Sequence, residues 1–260
     1  MARAKRHYIP GHVWHITHRC HKREFLFRFA KDRRRWLHWL FEAKKRYGLV
    51  ILDYMVTSNH VHLLVVDGGS REVIPRAIQL VAGRTGQEFN QRKDRTGAYW
   101  EDRYHATAVE SGDHLLRCIV YIDLNMVRTG VVNDPSQWAF SGYNEIQEPR
   151  QRYGLVDYQK LLDLVGIDTY DAFRRSHRGW VEESLRNGDN GRESKWTEGI
   201  AVGSKAFVER TKERLGISAK GRKVLEAKGD YQLREALASY SHGFAPEIGP
   251  LRPQNTYTWD

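Results

Sequence analysis

The order of residue periodicities along this 260-residue chain predicts an α+β fold: a ferredoxin-like antiparallel sheet with helices on one face, followed by a mainly helical C-terminal region. Three observations carry that prediction. Residues 49–56 and 60–66 are β-branched and apolar, and so close in sequence that they should pair as an antiparallel hairpin. Segments of helical period precede and follow this hairpin. Further extended segments stand outside the helices, so the elements alternate β-α-β-β-α-β-α, and the first six have the ferredoxin-like order.

Taken in order, Val13-Trp14-His15-Ile16-Thr17 reads as the first strand, entered through Pro10-Gly11. Basic residues Arg19, Lys22 and Arg23 follow, then Phe25-Leu26-Phe27. From Asp32 the period changes, and Trp36, Leu37, Leu40, Phe41 and Ala43 recur at helical spacing, with Gly48 as the C-cap. After the hairpin, Asp67-Gly68-Gly69-Ser70 is a turn, and Ser70 is a candidate N-cap for a helix through Ile74, Ile78, Val81 and Phe89. Residues 99–109 read as extended chain, and Ser111-Gly112-Asp113 opens a helix that reaches Arg128 and ends at Gly130. Beyond Pro135 the signals thin out. Residues 155–165, 205–215 and 231–240 have helical spacing, 187–191 reads as a flexible linker, and the end of the chain reads as a tail. The expected division is a domain over residues 1–145 and a mainly helical accessory region over 146–260.

Composition narrows the function classes. A formal charge of +10 favours a polyanionic partner, nucleic acid before an anionic membrane surface. No apolar run approaches the ~20 residues that span a bilayer, and residues 1–8 lack the apolar core of a secretory signal. Two distant cysteines, Cys20 and Cys118, offer neither a disulfide framework nor a cysteine-rich zinc site. The expectation is a cytoplasmic protein with no membrane partner.

The chemistry-bearing stretch is Thr57-Ser58-Asn59-His60-Val61-His62, with its apolar continuation. Side chains two apart on a strand share a face, so His60 and His62 would project together as a pair of imidazole ligands. In a chain with twelve histidines, such a pair is also compatible with simple packing. The second half of the pattern lies on the helix from Asp113, where His114, Arg117, Tyr121, Asn125 and Arg128 fall in one stripe at about 100° per residue. A solvated polar face would look the same. If the stripe faces the histidines, two imidazoles and the Asn125 amide leave positions open on a hard ion, Mg²⁺ or Mn²⁺, for phosphate oxygens. The Tyr121 phenol, with an ordinary pKa near 10, would then be the nucleophile. Exchange of one phosphodiester for another is close to reversible, so the reaction would be strand transfer.

Asn59-His60-Val61-His62-Leu63-Leu64-Val65, followed by Tyr121-Ile122-Asp123-Leu124-Asn125-Met126-Val127-Arg128, resembles the single-tyrosine HUH transposases, and in particular the REP-associated tyrosine transposases. The opening Pro10-Gly11-His12-Val13-Trp14-His15-Ile16-Thr17-His18-Arg19 and the connector Trp138-Ala139-Phe140-Ser141-Gly142-Tyr143 fit the same pattern, so the resemblance spans about residues 5–145. It implies the HUH-nuclease form of the ferredoxin-like fold. It also implies a metal-dependent endonuclease and strand transferase that acts on single-stranded DNA beside hairpins, through a covalent 5′-phosphotyrosine. By matched position, His60, His62 and Asn125 are the metal ligands and Tyr121 the nucleophile. Arg19, Arg23, Arg103, Arg117 and Arg128 are candidate DNA contacts. A homodimer is compatible with the family, and no small-molecule cofactor is expected. Two departures stand out: Thr57-Ser58 where relatives have Met-Pro, and Met126 where proline is usual. Two other readings compete. One is a domesticated, non-catalytic nucleic-acid-binding protein; the other is a zinc hydrolase, which would need further ligands beside the histidine pair.

Overall fold

The computed structural model describes residues 9–188, 191–227 and 229–235. Its first strand, β1 (Val13–Arg19), leads through a short 3-10 turn into α1 (Ala30–Tyr47). That helix buries Trp36, Leu40 and Ala43, and stops at Gly48, whose positive φ of 67° places its N–H on the Lys44 carbonyl. Next come β2 (Val50–Val56), β3 (His60–Val66), α2 (Val73–Arg92) and β4 (His105–Val109). These pair in the order β2-β3-β1-β4, every neighbour antiparallel, which is the ferredoxin-like arrangement expected. Helices α1 and α2 pack against each other. In β2 and β3 all residues except the first are buried, so this part of the sheet is covered on both faces.

The cover on the second face comes from later in the chain. The helix expected from Asp113 to Arg128 is two pieces, α3 (Asp113–Asp123) and α4 (Asn125–Arg128), joined at Leu124. Then follow α5 (Gly142–Gln147), α6 (Tyr158–Val165), α7 (Tyr170–Arg186) and α8 (Lys195–Glu198). Helix α7 has no counterpart in the sequence reading, although Phe173, His177 and Val181 repeat every four residues and are buried, and Thr169 caps its first turn by accepting from the Ala172 N–H. Helix α3 contacts β2 and β4, and α8 contacts β1 and β4.

The sheet continues past β4. Strand β5 (Ala201–Gly203) pairs with it in parallel, helix α9 (Lys205–Leu215) follows at its expected place, and β6 (Arg222–Ala227) and β7 (Asp230–Glu235) form a hairpin whose second strand pairs with β5. The seven strands run β2-β3-β1-β4-β5-β7-β6. One local expectation therefore fails: residues 231–235, read as the start of a helix, are β7. Ladder bonds to β5 and β6 outweigh the helix propensity of Leu233, Arg234 and Glu235. Residues 236–240, residues 189 and 190 of the expected linker, and the tail lie outside the described residues. Cys20 and Cys118 are free and buried.

Candidate metal and nucleophile site

The alternation of β3 puts His60 and His62 on one face, and their Nε2 atoms stand 3.1 Å apart. Each ring is held from behind. Asn59 Oδ1 lies 2.7 Å from His60 Nδ1 and Thr57 Oγ1 3.0 Å from it. The Thr57 hydroxyl donates its own proton to the His60 carbonyl at 2.8 Å, so toward the ring it can only accept. His60 therefore carries its proton on Nδ1 and leaves Nε2 bare. Thr57, one of the two departures from the family pattern, thus orients a candidate ligand, a task methionine lacks the hydrogen-bonding group to perform. His62 Nδ1 is 2.9 Å from Nε2 of His15 on β1.

On α4, Asn125 is 6% exposed and its Nδ2 is 3.0 Å from His62 Nε2, while its Oδ1 is buried with no partner. Met126, the second departure, is buried in the hydrophobic core. One turn earlier, the Tyr121 ring centroid is 6.1 Å from that of His62 and 6.3 Å from that of His15. The stripe of α3 and α4 is thus not a solvated face where it matters. The helix break at Leu124 is anchored by Asp123, whose Oδ2 accepts from His177 Nε2 at 2.7 Å on α7. That contact accounts for a carboxylate in an otherwise apolar arc.

Electrostatics fit a cation site. Burial, with Arg19 next in effect, lowers His60 to about 4; burial lowers His15 to about 3, and lowers His62 well below its usual value. All three are neutral at physiological pH, as imidazole ligands must be. Burial raises the Tyr121 phenol, against which Arg128 works. The Arg128 guanidinium lies 4.2 Å above the Tyr121 ring and donates to the Tyr121 carbonyl at 3.0 Å. Among the described residues no three His, Cys, Asp or Glu side chains form a metal-ligand group. Beside the two imidazoles, Asn125 offers a side-chain oxygen that is buried without a partner, a donor type that suits a hard cation. His60 Nε2 and His62 Nε2, 3.1 Å apart, would be close enough to serve one ion together.

Of the candidate DNA contacts, Arg128 and Arg19 belong to this site, the latter as an electrostatic neighbour of His60. Arg23, with φ of 59°, lies in the turn whose carbonyl accepts from Asn59, and Arg103 is exposed. Arg117 is directed elsewhere: it pairs with Asp230 at 2.6 Å and lines a cavity of about 620 Å³ between α3 and α7, to which Tyr121, Arg128, Trp180 and Lys195 also contribute. Three of the basic side chains of α1 are engaged within the fold. Arg33 packs on Trp138 and Phe140, Arg35 pairs with Glu88, and Lys44 donates to the Gly154 and Leu155 carbonyls. Tyr99 and Tyr104 are core residues, and Trp100 stacks on His18 with centroids 3.9 Å apart. The residue that the sequence reading passed over is His15. The ferredoxin-like order, which sets β1 beside β3, was the signal that could have found it.

Residues 9–125 match the family model described as transposase, IS200-like, which is where the two motifs placed their resemblance. No curated protein matches the chain. Among solved structures, the chain is similar to a REP-associated tyrosine transposase bound to a REP hairpin, at 19% identity over 60% of this chain and 92% of that one, with a TM-score of 0.48. It is also similar to a chain from Deinococcus radiodurans R1 provisionally described as a transposase, at 16% identity over 44% of this chain and 89% of that one, with a TM-score of 0.32.

Proposed function

We infer that residues 9–125, matched as they are to the IS200-like transposases, form a single-tyrosine DNA strand transferase. The observation that carries this reading is the convergence, within one chain, of His60, His62, Asn125 and Tyr121. In this reading His60, His62 and Asn125 hold Mg²⁺ or Mn²⁺, which when bound polarises the scissile phosphate and offsets charge in the transition state. The Tyr121 oxygen attacks phosphorus in line, the phenol loses its proton, and the departing strand leaves with a free 3′-hydroxyl. A 5′-phosphotyrosine results, and attack on it by another 3′-hydroxyl reseals the strand and frees Tyr121. Arg128 fixes the ring and favours the phenolate.

The substrate class, single-stranded DNA with a hairpin, is supported by the family match and by the charge of +10. Because Tyr121 stands beside the histidines of its own chain, cleavage in cis needs no second subunit. A homodimer would therefore serve DNA binding and not completion of the site. The division of labour we propose assigns the reacting groups to residues 1–145 and the supporting elements to 146–260, in a cytoplasmic protein. No described helix is long and apolar enough to cross a membrane.

The test is incubation of the protein with a 5′-labelled and a 3′-labelled hairpin-bearing single strand and Mn²⁺, followed by denaturing electrophoresis. The wild type should shift one labelled product by the mass of the protein, and Tyr121→Phe should shift neither. Tight hairpin binding with no adduct from the wild type would leave the domesticated binder as the better reading.

A further inference from the structure

We propose that His15 is a positioning residue for the metal site: it holds His62 in the tautomer protonated at Nδ1, so that the His62 Nε2 lone pair is presented to the ion. The proposal rests on the metal-binding part of the function proposed above. It is carried by two successive hydrogen bonds, between the Trp196 carbonyl and His15 Nδ1 and between His15 Nε2 and His62 Nδ1, that the fold brings together from distant parts of the sequence.

The register sets the geometry. Strands β1 and β3 are antiparallel, with Thr17 opposite His62 and His15 opposite Leu64, so His15 lies diagonal to His62 on the same face. Their rings are within 10° of parallel. His15 is fully buried, and its hydrogen bonds are to two groups alone among the described residues. Its Nδ1 is 2.9 Å from the Trp196 carbonyl oxygen, and its Nε2 is 2.9 Å from His62 Nδ1. A carbonyl oxygen only accepts, so the proton at that end sits on His15 Nδ1. A buried imidazole without a carboxylate partner stays neutral, so its Nε2 is a bare acceptor. The group facing it must donate, and that puts the proton on His62 Nδ1. His62 Nε2 is then left with its lone pair, directed at the space shared with His60 Nε2 and Asn125. Which nitrogen of a ligand histidine is free is set by the bond the other nitrogen makes.

The far end of this relay is supplied by the accessory region. Trp196 is fully buried on α8, and its carbonyl also accepts from Thr107 Oγ1 on β4 at 3.1 Å. The acceptor that orders His15 is thereby itself held in place. Without His15, the contacts left to bias the proton of His62 among the described residues are both at its Nε2, with His60 Nε2 at 3.1 Å and the Asn125 Nδ2 group at 3.0 Å. The Asn125 amide has to turn away for its oxygen to meet an ion, and an unconstrained histidine side chain prefers to carry the proton on Nε2, the nitrogen the ion needs.

The experiment uses full-length protein labelled with ¹⁵N-histidine. Long-range ¹H–¹⁵N correlation spectra of the metal-free form at neutral pH assign the tautomer of His62, and Mn²⁺ titration gives its affinity. The wild type should show His62 protonated at Nδ1. His15→Phe should lose that signature and bind Mn²⁺ about 10–100-fold more weakly. His15→Gln keeps one donor and one acceptor, and should restore the signature and most of the affinity. A wild type protonated at His62 Nε2 overturns the proposal without recourse to any variant. So does a His15→Phe protein that keeps both the signature and the affinity, or a His15→Gln protein that falls as far as His15→Phe. A wild type that binds no Mn²⁺ would instead defeat the metal part of the proposed function, and the tautomer of the metal-free protein would still be read.

Discussion

Thr57 shows how the hairpin turn and the candidate ligands share one hydrogen-bond set. Its hydroxyl oxygen accepts from the backbone N–H of His60 at 3.0 Å and of Asn59 at 3.3 Å, besides facing His60 Nδ1. Thr57→Val keeps the shape and removes all of these bonds. Two turn donors then lose a partner, which should lower stability by about 1–2 kcal/mol in urea denaturation. Asn59 Oδ1 remains 2.7 Å from His60 Nδ1, so Mn²⁺ affinity should fall by less than it does in His15→Phe. A larger fall in Thr57→Val would show that the threonine, not Asn59, governs the His60 ring. At this scale the sequence indicated which candidate groups could meet and little of their support. His60, His62, Tyr121 and Asn125 were legible because their spacing fits strand and helix periods. His15 was not, because its role depends on strand pairing and on a carbonyl 181 residues away.

Among the elements, the α3–α4 break was hidden for a similar reason. Nothing local in Ile122-Asp123-Leu124-Asn125 ends a helix, and the anchor for Asp123 is His177, 54 residues later. The same carboxylate also faces Asp53 on β2. Asp53 Oδ2 and Asp123 Oδ1 are both buried without a hydrogen-bond partner. Burial, followed for Asp53 by the Asp123 charge, raises both groups well above the usual carboxylate range. The folded protein therefore keeps a proton that the unfolded chain releases above about pH 4. A raised folded-state pKa stabilises fully below the unfolded value, and this stability is lost as pH rises toward the folded value. Asp53→Asn supplies a permanent hydrogen in place of that proton. Relative to the variant, the wild type should lose about 1.4 kcal/mol per pH unit across that window, since the histidine contributions cancel in the difference. Urea denaturation of both proteins at pH 5, 7 and 9 measures it. Parallel pH profiles would mean that the two carboxyls do not hold the proton.

At the scale of the whole molecule, the first six elements were legible because each has a clean period and short connections, and the ferredoxin-like order follows from them. The later strands were not. Strand β5 has only three residues, and the Lys, Leu, Arg and Glu side chains of β6 and β7 are helix formers. Strand β5 is held by pairing on both sides, with β7 and with the edge of β4, where Ala108 N–H donates to the Ile200 carbonyl at 2.8 Å and Glu110 N–H to the Val202 carbonyl at 3.1 Å. Other bonds cross residue 145 as well. Glu145 Oε1 accepts from the Leu155 and Val156 N–H groups, Lys44 donates to two carbonyls beyond it, and Asp123 depends on His177. A piece limited to residues 1–145 would expose the edge of β4, strip the second face of the sheet around β1, and strand several buried polar groups, each costing about 1–3 kcal/mol. That total is comparable with the 5–15 kcal/mol by which a domain is stable at all. The 1–145 piece should accordingly show no cooperative urea transition by circular dichroism, whereas the full chain should unfold in one step through its sheet. If the piece melts cooperatively and binds Mn²⁺ as the full chain does, residues 146–260 are a separable accessory, and the contacts from Trp196 and His177 contribute little to the site.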